Sequence, residues 1–456
     1  RHPQELPALD TASIPCGTYR IQFHKGCTFE QVTQAVPYLR ALGISHLYSS
    51  PYLRARPGST HGYDIVDHSQ LNPEVGDAAA HARLCSALRR NGMGQILDIV
   101  PNHMGVLEAD NAWWLDVLEH GRASAHAETF DIEWKPAQPE MEGRLLLPVL
   151  GDHYGRVLEA GEIRLHFDGE TGEFGLRYWD HRFPIDPASY PAILAALPAP
   201  PARDDTEGDS HAVVSALLDA FARLPDRNDP DPDARRSRVR DSGVYKRQLA
   251  RLAARHEWLA RWIEAVVQRL NGQAGDPDSF DALDALISAQ AYRLADWHVA
   301  SDDVNYRRFF DVNTLAALRM ERPEVFEATH RKVLQWLQDG LLTGLRIDHP
   351  DGLSDPQAYF EQLQARYVAQ AEVGGHPPRA LYLLVEKIQA EHEPLPEAWA
   401  VHGDTGYRFA NSVNGLFVEG RNENALLAAY HAFTNAPTDF DNVLWTCKKL
   451  IIETSL

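Results

Sequence analysis

Short β-prone apolar runs that alternate with helical stretches constrain this chain more than any other feature. "GTYRIQF" (17–23) reads as a strand and "TFEQVTQAVPYLRALG" (28–43) as a helix, opened by Thr28 as N-cap and stopped at Gly43. "ISHLYSS" (44–50) reads as a second strand, "DAAAHARLCSALRRNG" (77–92) as a second helix and "QILDIV" (95–100) as a third strand. Three such steps in succession predict a parallel sheet with helical crossovers. The rhythm returns late, with helices at 325–340 and 356–370, strands "LTGLRID" (342–348) and "ALYLLVE" (380–386), and a sixth strand expected within 405–418. A closed barrel of strand–helix units needs about eight, and an open one leaves unpaired strand edges. The expected fold class is α/β, a (β/α)8 TIM-type barrel with insertions that is incomplete at the C-terminal side. The remaining strands and a C-terminal domain are expected beyond residue 456.

Between the two regular stretches the pattern breaks. Residues 1–121 are read as the first part of the barrel, with strands 1 to 3. Residues 122–200, rich in Pro, Gly and aromatics with β alternation in "EIRLHF" and "EFGLRYW", are read as a small β-containing insertion. Residues 201–300 are read as a helical insertion, with a mobile linker near 200–240 around "DRNDPDPDARRSR". Residues 301–456 continue the barrel. Trp113, Trp114, Trp179 and Trp297 are read as buried core rather than as platforms for a ligand.

The net charge of −20 argues against nucleic acid or an anionic membrane as partner, since both call for basic patches. It suits a neutral substrate such as a sugar. Four cysteines without a CxxC pair give no zinc or thioredoxin signature, and the cytoplasm is the expected compartment. No apolar run of about 18 residues suggests a membrane span.

Barrel enzymes of this architecture place their chemistry at the C-terminal ends of the strands. Here those ends carry Asp98, Asn102 and His103 in "DIVPNHMG", Arg346, Asp348 and His349 in "GLRIDHPDG", and Glu386 and Lys387 in "LLVEKI"; His61, Tyr63, Asp64 and Asp67 follow the second strand. Adjacent parallel strands lie about 4.8 Å apart, so carboxylates closing neighbouring strands can approach the roughly 5–5.5 Å that retaining glycosyl chemistry requires. Arg346 lies two residues before Asp348, on the same strand face. It is expected to keep Asp348 ionised, while the apolar approach to Glu386 is expected to raise that carboxyl towards an acid's role.

"DIVPNH", "GLRID" and "VEK" resemble conserved regions of the α-amylase family. "GTYRIQF", "YSSPYLRARPGSTHGYD", "YRRFFDVNTLAALR" and "GLRIDHPDGL" narrow the resemblance to its maltooligosyltrehalose synthase family, from about residue 14 onward. The resemblance implies a (1→4)-α-D-glucan 1-α-D-glucosylmutase activity. In that reaction the reducing-end α-1,4 linkage of a maltooligosaccharide is converted, by intramolecular transglycosylation with retention, to an α,α-1,1 linkage. It implies Asp348 as nucleophile, Glu386 as general acid/base and Arg346 as the group orienting the nucleophile. It also implies His103 on the sugar hydroxyls, Tyr63 stacked on the sugar face, Asp98 in support, His349 on the acceptor side and Tyr407 beside the reducing-end glucose. No cofactor and no metal is implied; a trehalohydrolase acting on the product is implied as functional partner. The family's third catalytic carboxylate has no match before residue 456, so these residues alone are expected to be inactive.

Three other readings stay open. The first is an α-glucan hydrolase or another transglycosylase of the same family. The second is a metal-dependent barrel hydrolase using His61, His103, His349 and Asp348, although these form neither an HxH nor an HExxH set. The third is a non-catalytic glucan-binding protein.

Overall fold

The structure is a computed structural model and describes residues 7–108, 110–202, 205–374, 377–390 and 392–454. The chain divides into two compact units. The first comprises Arg1–Met104, Phe309–Asp311 and Arg319–Leu456, and the second comprises Gly105–Arg308 and Val312–Leu318.

The first unit is organised on one sheet. Its strands are β1 (Thr18–Ile21), β2 (His46–Ser49), β3 (Gly94–Ile99), β4 (Gly344–Ile347), β5 (Tyr382–Val385) and β6 (Gly403–Asp404). They lie side by side in chain order, each parallel to its neighbour. The crossover helices follow from their caps. In α1 (Phe29–Ala41) the Thr28 hydroxyl and the Gln31 side chain cap each other's backbone amides, and Phe29, Val32, Val36 and Leu39 form the buried stripe. Asp77 caps α2 (Ala78–Arg90). Two further helices, α3 (Pro323–Gln338) and α4 (Pro356–Val373), both start at Pro, which leaves no amide to satisfy at the first position.

The sixth strand differs from expectation. It is only Gly403–Asp404, and the predicted stretch instead enters a helix, α5 (Tyr407–Gly415). Gly406 causes the switch: its φ of +92° ends the extended run, and the Asp404 carboxylate accepts the Gly406 amide. Two helices follow, α6 (Glu423–Thr434) and α7 (Phe440–Thr454), and Phe409, Phe433, Phe440 and Trp445 are exposed along this stretch.

An antiparallel pair, Leu53–Ala55 with Ile65–Leu71, follows β2. Its connection contains Gly62 at φ +80°, where a Cβ would meet the Pro51 carbonyl at 2.3 Å, so only glycine fits.

The second unit contains a parallel pair, Leu145–Leu150 with Tyr292–Asp296, and an antiparallel sheet of Arg164–Asp168, Glu173–Tyr178 and His181–Pro184. The parallel pair joins the predicted β insertion to the end of the predicted helical one, so residues 122–200 and 201–300 share one unit. The linker expected near 200–240 is instead helix Asp205–Ala222, a short turn, and helix Pro232–Arg255. Two of its charges, Arg227 and Arg238, are used internally, both on Asp186. Arg238 is 2% exposed and bonds the Asp186 carboxylate and the Pro225 carbonyl. A buried ion is tolerated only with such partners. Two of the tryptophans expected in the core are also corrected: Trp114 is buried, but Trp179 and Trp297 are 78% and 53% exposed. Among the described residues no helix is long and apolar enough to cross a membrane.

Candidate active site

Strand parity builds the site. Arg20 pairs with Tyr48, and Asp98 with Arg346, across neighbouring parallel strands. Side chains at alternate positions share a face, so Arg20, Tyr48, Asp98, Arg346 and Asp348 all project to one side of the sheet. Asp348 and Glu386 each stand one residue beyond the paired Ile347 and Val385. Their amides bond back to the preceding strand, Asp348 to the Ile99 carbonyl and Glu386 to the Ile347 carbonyl, both at 2.9 Å.

Arg346 is the hub. Its Nη1 donates to Asp98 Oδ1 at 2.8 Å and to Asp348 Oδ1 at 2.7 Å, and its Nη2 lies 3.3 Å from Glu386 Oε2. One guanidinium therefore holds three carboxylates, including the two picked out from the sequence. Asp98, 1% exposed, also accepts the Tyr63 hydroxyl at 2.6 Å and the Tyr48 hydroxyl at 3.3 Å. Arg20 donates to the Tyr63 hydroxyl at 2.7 Å, completing the buried side of the network.

The electrostatics reverse two expectations. Burial, together with the Asp98 and Glu386 charges, outweighs Arg346 and pushes the Asp348 carboxyl up to about 7. Burial also acts to raise Glu386, but Arg346, the His349 amide and the Tyr407 hydroxyl prevail and hold it below its ordinary value. The His349 N–H donates to Glu386 Oε2 at 2.9 Å and the Tyr407 hydroxyl to Oε1 at 3.0 Å. The apolar run before Glu386 is thus not what sets its charge; donors arriving from two other segments are. Below about pH 7 the proton of the pair therefore rests on Asp348.

The histidines are placed less uniformly. His103 is 1% exposed, and burial lowers its pKa to about 3, so the ring is neutral. Its Nε2 lies 3.1 Å from the Tyr63 carbonyl and its Nδ1 3.4 Å from Asn102 Nδ2. The bond to a carbonyl requires the Nε2–H tautomer, which turns this donor to the backbone that carries Tyr63. His349 occupies the left-handed region at φ +44°, a conformation non-glycine residues adopt only when their surroundings impose it. His61 stacks on Tyr63, with ring centroids 5.9 Å apart. Among the described residues no group of three or more His, Cys, Asp or Glu could hold a metal ion, so His61, His103, His349 and Asp348 are not assembled as ligands.

Four residues here went unassigned in the sequence. Arg20 and Tyr48 needed the register to be seen. Phe309 packs on His103 at 4.5 Å and on His349 at 4.9 Å. Phe310, at φ +51° and 64% exposed, lies 5.2 Å from the His349 ring. An aromatic held exposed in a strained backbone was detectable only as part of the "YRRFFD" motif.

Known proteins resemble this chain in sequence and in fold. The family model described as alpha amylase, catalytic domain, matches residues 24–156. A putative maltooligosyl trehalose synthase of Mycobacterium tuberculosis (strain CDC 1551 / Oshkosh) is 33% identical over 417 residues, covering 90% of this chain and 40% of the relative. The solved maltooligosyltrehalose synthase of Arthrobacter ramosus superposes with a TM-score of 0.64 at 31% identity, covering 94% of this chain and 42% of that one. A hypothetical maltooligosyl trehalose synthase of Sulfolobus tokodaii gives 0.64 at 27% identity, covering 97% and 44%. The chain spans less than half the length of each of these relatives.

Proposed function

We propose that this chain, which matches the alpha amylase, catalytic domain, model over residues 24–156 and is similar along nine-tenths of its length to a putative maltooligosyl trehalose synthase, carries the glycosyl-transfer centre of such a synthase. The observation that carries the reading is the single guanidinium of Arg346 shared between Asp348 and Glu386 on neighbouring strand ends. Two carboxylates brought together at neighbouring strand ends are the groups that retaining glycosyl transfer uses.

In this reading the Asp348 carboxylate attacks the anomeric carbon of the penultimate glucose. Glu386 gives its proton to the oxygen that leaves with the terminal glucose. The freed glucose turns, its anomeric hydroxyl returns a proton to Glu386 and attacks the same carbon, and Asp348 is released. The product ends in an α,α-1,1 linkage. The proton that rests with Asp348 in the free site must pass to Glu386 before the first step, so productive binding of the glycosidic oxygen is coupled to that transfer. Arg346 orients both carboxylates, and Asp98 with Tyr63 fixes Arg346. Tyr407 steadies Glu386 Oε1 beside the acceptor glucose. His103 supports the sugar-binding loop at Tyr63, and His349 lines the acceptor side. Phe310 offers an exposed ring against which the free glucose rests. A trapped sugar has an effective concentration that water does not match, which favours transfer over hydrolysis. Among the described residues none is assigned the role of the third carboxylate. A cytoplasmic setting and a trehalohydrolase that consumes the product complete the proposal.

The test is incubation of the full-length protein with maltopentaose, followed by a reducing-end assay. Reducing ends are expected to disappear, and Asp348→Asn to abolish the loss. Persistent reducing ends with release of glucose or maltose would overturn the synthase reading in favour of a hydrolase.

A further inference from the structure

The second unit holds a cavity of about 430 Å³ whose lining includes Arg144, Arg293, His153, Glu140 and Asp296. Its basic groups are set by the strand register. Leu145–Leu150 runs parallel to Tyr292–Asp296, and Arg293 pairs with Leu146. Arg144 lies two residues before Leu146, so both arginines project from the same face of the pair. The placement is costly as it stands. Burial and repulsion from Arg227 and Arg293 pull the Arg144 guanidinium below its ordinary value. Arg227 is already committed to Asp186 and to the carbonyls of Ala289 and Gln290. Among the described residues neither the Arg144 nor the Arg293 guanidinium has a hydrogen-bond or ion-pair partner. The acidic residues of the lining do not supply one. Asp296 is occupied by the amide and ring of His298, at 3.0 and 2.7 Å, and Glu140 stands exposed without a bond to either guanidinium.

We propose that this cavity is a binding site for a phosphate group, inorganic or as the ester of a small metabolite, held between the Arg144 and Arg293 guanidiniums. A guanidinium presents paired N–H donors that match a tetrahedral oxyanion, and two of them neutralise a dianion. The net charge of −20 makes the long-range field repel anions, so a phosphate is retained only where local cations outweigh it. His153 at the rim adds a third nitrogen donor. The site lies wholly within the second unit and does not depend on the reading of the carboxylate pair.

The experiment is isothermal titration of the protein with inorganic phosphate and, separately, with glucose 6-phosphate, at ionic strength held constant with sodium chloride. Saturable binding is expected, weakened at least tenfold by Arg144→Gln and by Arg293→Gln. Arg251→Gln, an exposed arginine elsewhere in the unit, is expected to leave it unchanged. Arg293 is itself exposed, so its variant tests the site without disturbing the fold. Tighter binding of glucose 6-phosphate identifies an ester as the occupant, and equal binding identifies the bare anion. Absence of saturable heat with both probes, or binding that both glutamine variants leave intact, overturns the proposal.

Discussion

Asp348→Asn is expected to stabilise the protein, and to do so more at alkaline than at acid pH. Asp348 is 6% exposed, and its carboxyl is pushed from the ordinary 3.8 to about 7, first by burial and then by Asp98. Between those values the folded state binds a proton that the unfolded chain has released. Stability therefore falls as pH rises from about 4 to about 7 and levels off above that. Linkage puts the penalty at about 2 kcal/mol at pH 5 and about 4 kcal/mol at pH 8 for the shift cited. Glu386 is shifted the other way. Its contribution is present above its ordinary value near 4.5 and is lost only below it, so it adds no slope in this window. Asparagine keeps an oxygen for Arg346 Nη1 but carries no charge. Its advantage over the wild type should therefore grow by about 2–3 kcal/mol between pH 5 and pH 8. Urea denaturation of both proteins at the two pH values, followed by tryptophan fluorescence, measures this directly. A difference that does not change with pH, or that shrinks towards pH 8, would refute the claim that Asp348 is a strained, desolvated carboxyl.

Other perturbations, made in the full-length protein, probe separate features. Glu386→Gln should leave folding intact and suppress turnover of maltopentaose by at least about 100-fold, the low end of what a general acid contributes; near-normal product in a chromatographic assay would remove Glu386 from the mechanism. Phe310→Ala should shift the outcome from transfer towards hydrolysis, read as a severalfold rise in free glucose per trehalose-ended product, and an unchanged ratio would separate that ring from the acceptor. Arg238→Ala removes one partner of a buried pair with Asp186 and should cost the second unit about 3–5 kcal/mol, whereas a loss under about 1 kcal/mol would mean that the pair is solvated.

The parts legible in the sequence were those written locally. Five sheet strands announce themselves as short apolar runs, and the Thr28 and Asp77 caps mark where two crossovers begin. Asp348 and Glu386 were legible because each closes such a run. What escaped depends on partners far along the chain. The stretch around Arg238 read as a linker because its charges look solvated, and Asp186, 52 residues earlier, is what buries one of them. Arg20 looked like an ordinary polar strand residue until the register set it beside Tyr48. The order of the two carboxyl pKa values is not legible locally, because Arg346, the His349 amide and Tyr407, which lower Glu386, all lie outside its own strand. The sixth strand failed through turn chemistry, since Gly406 bends the chain into a helix where alternation suggested extension.

The neighbouring strands β3 and β4 are close in the sheet but remote along the chain, with Asp98 and Arg346 separated by 248 positions. Joining a tether of that length costs about 1.7 kcal/mol more than joining one as short as the 38 residues from Arg346 to its β5 partner Leu384. That entropy falls if the excursion first collapses into a body of its own, which the second unit, with its own buried core, is built to do. A ribosome releasing this polypeptide would hold Asp98 waiting while some two hundred residues settle. The sheet would then be zipped from both sides at once when Arg346 arrives. The catalytic carboxylates would thus come together only after that excursion has been made, so no earlier intermediate carries both of them in place.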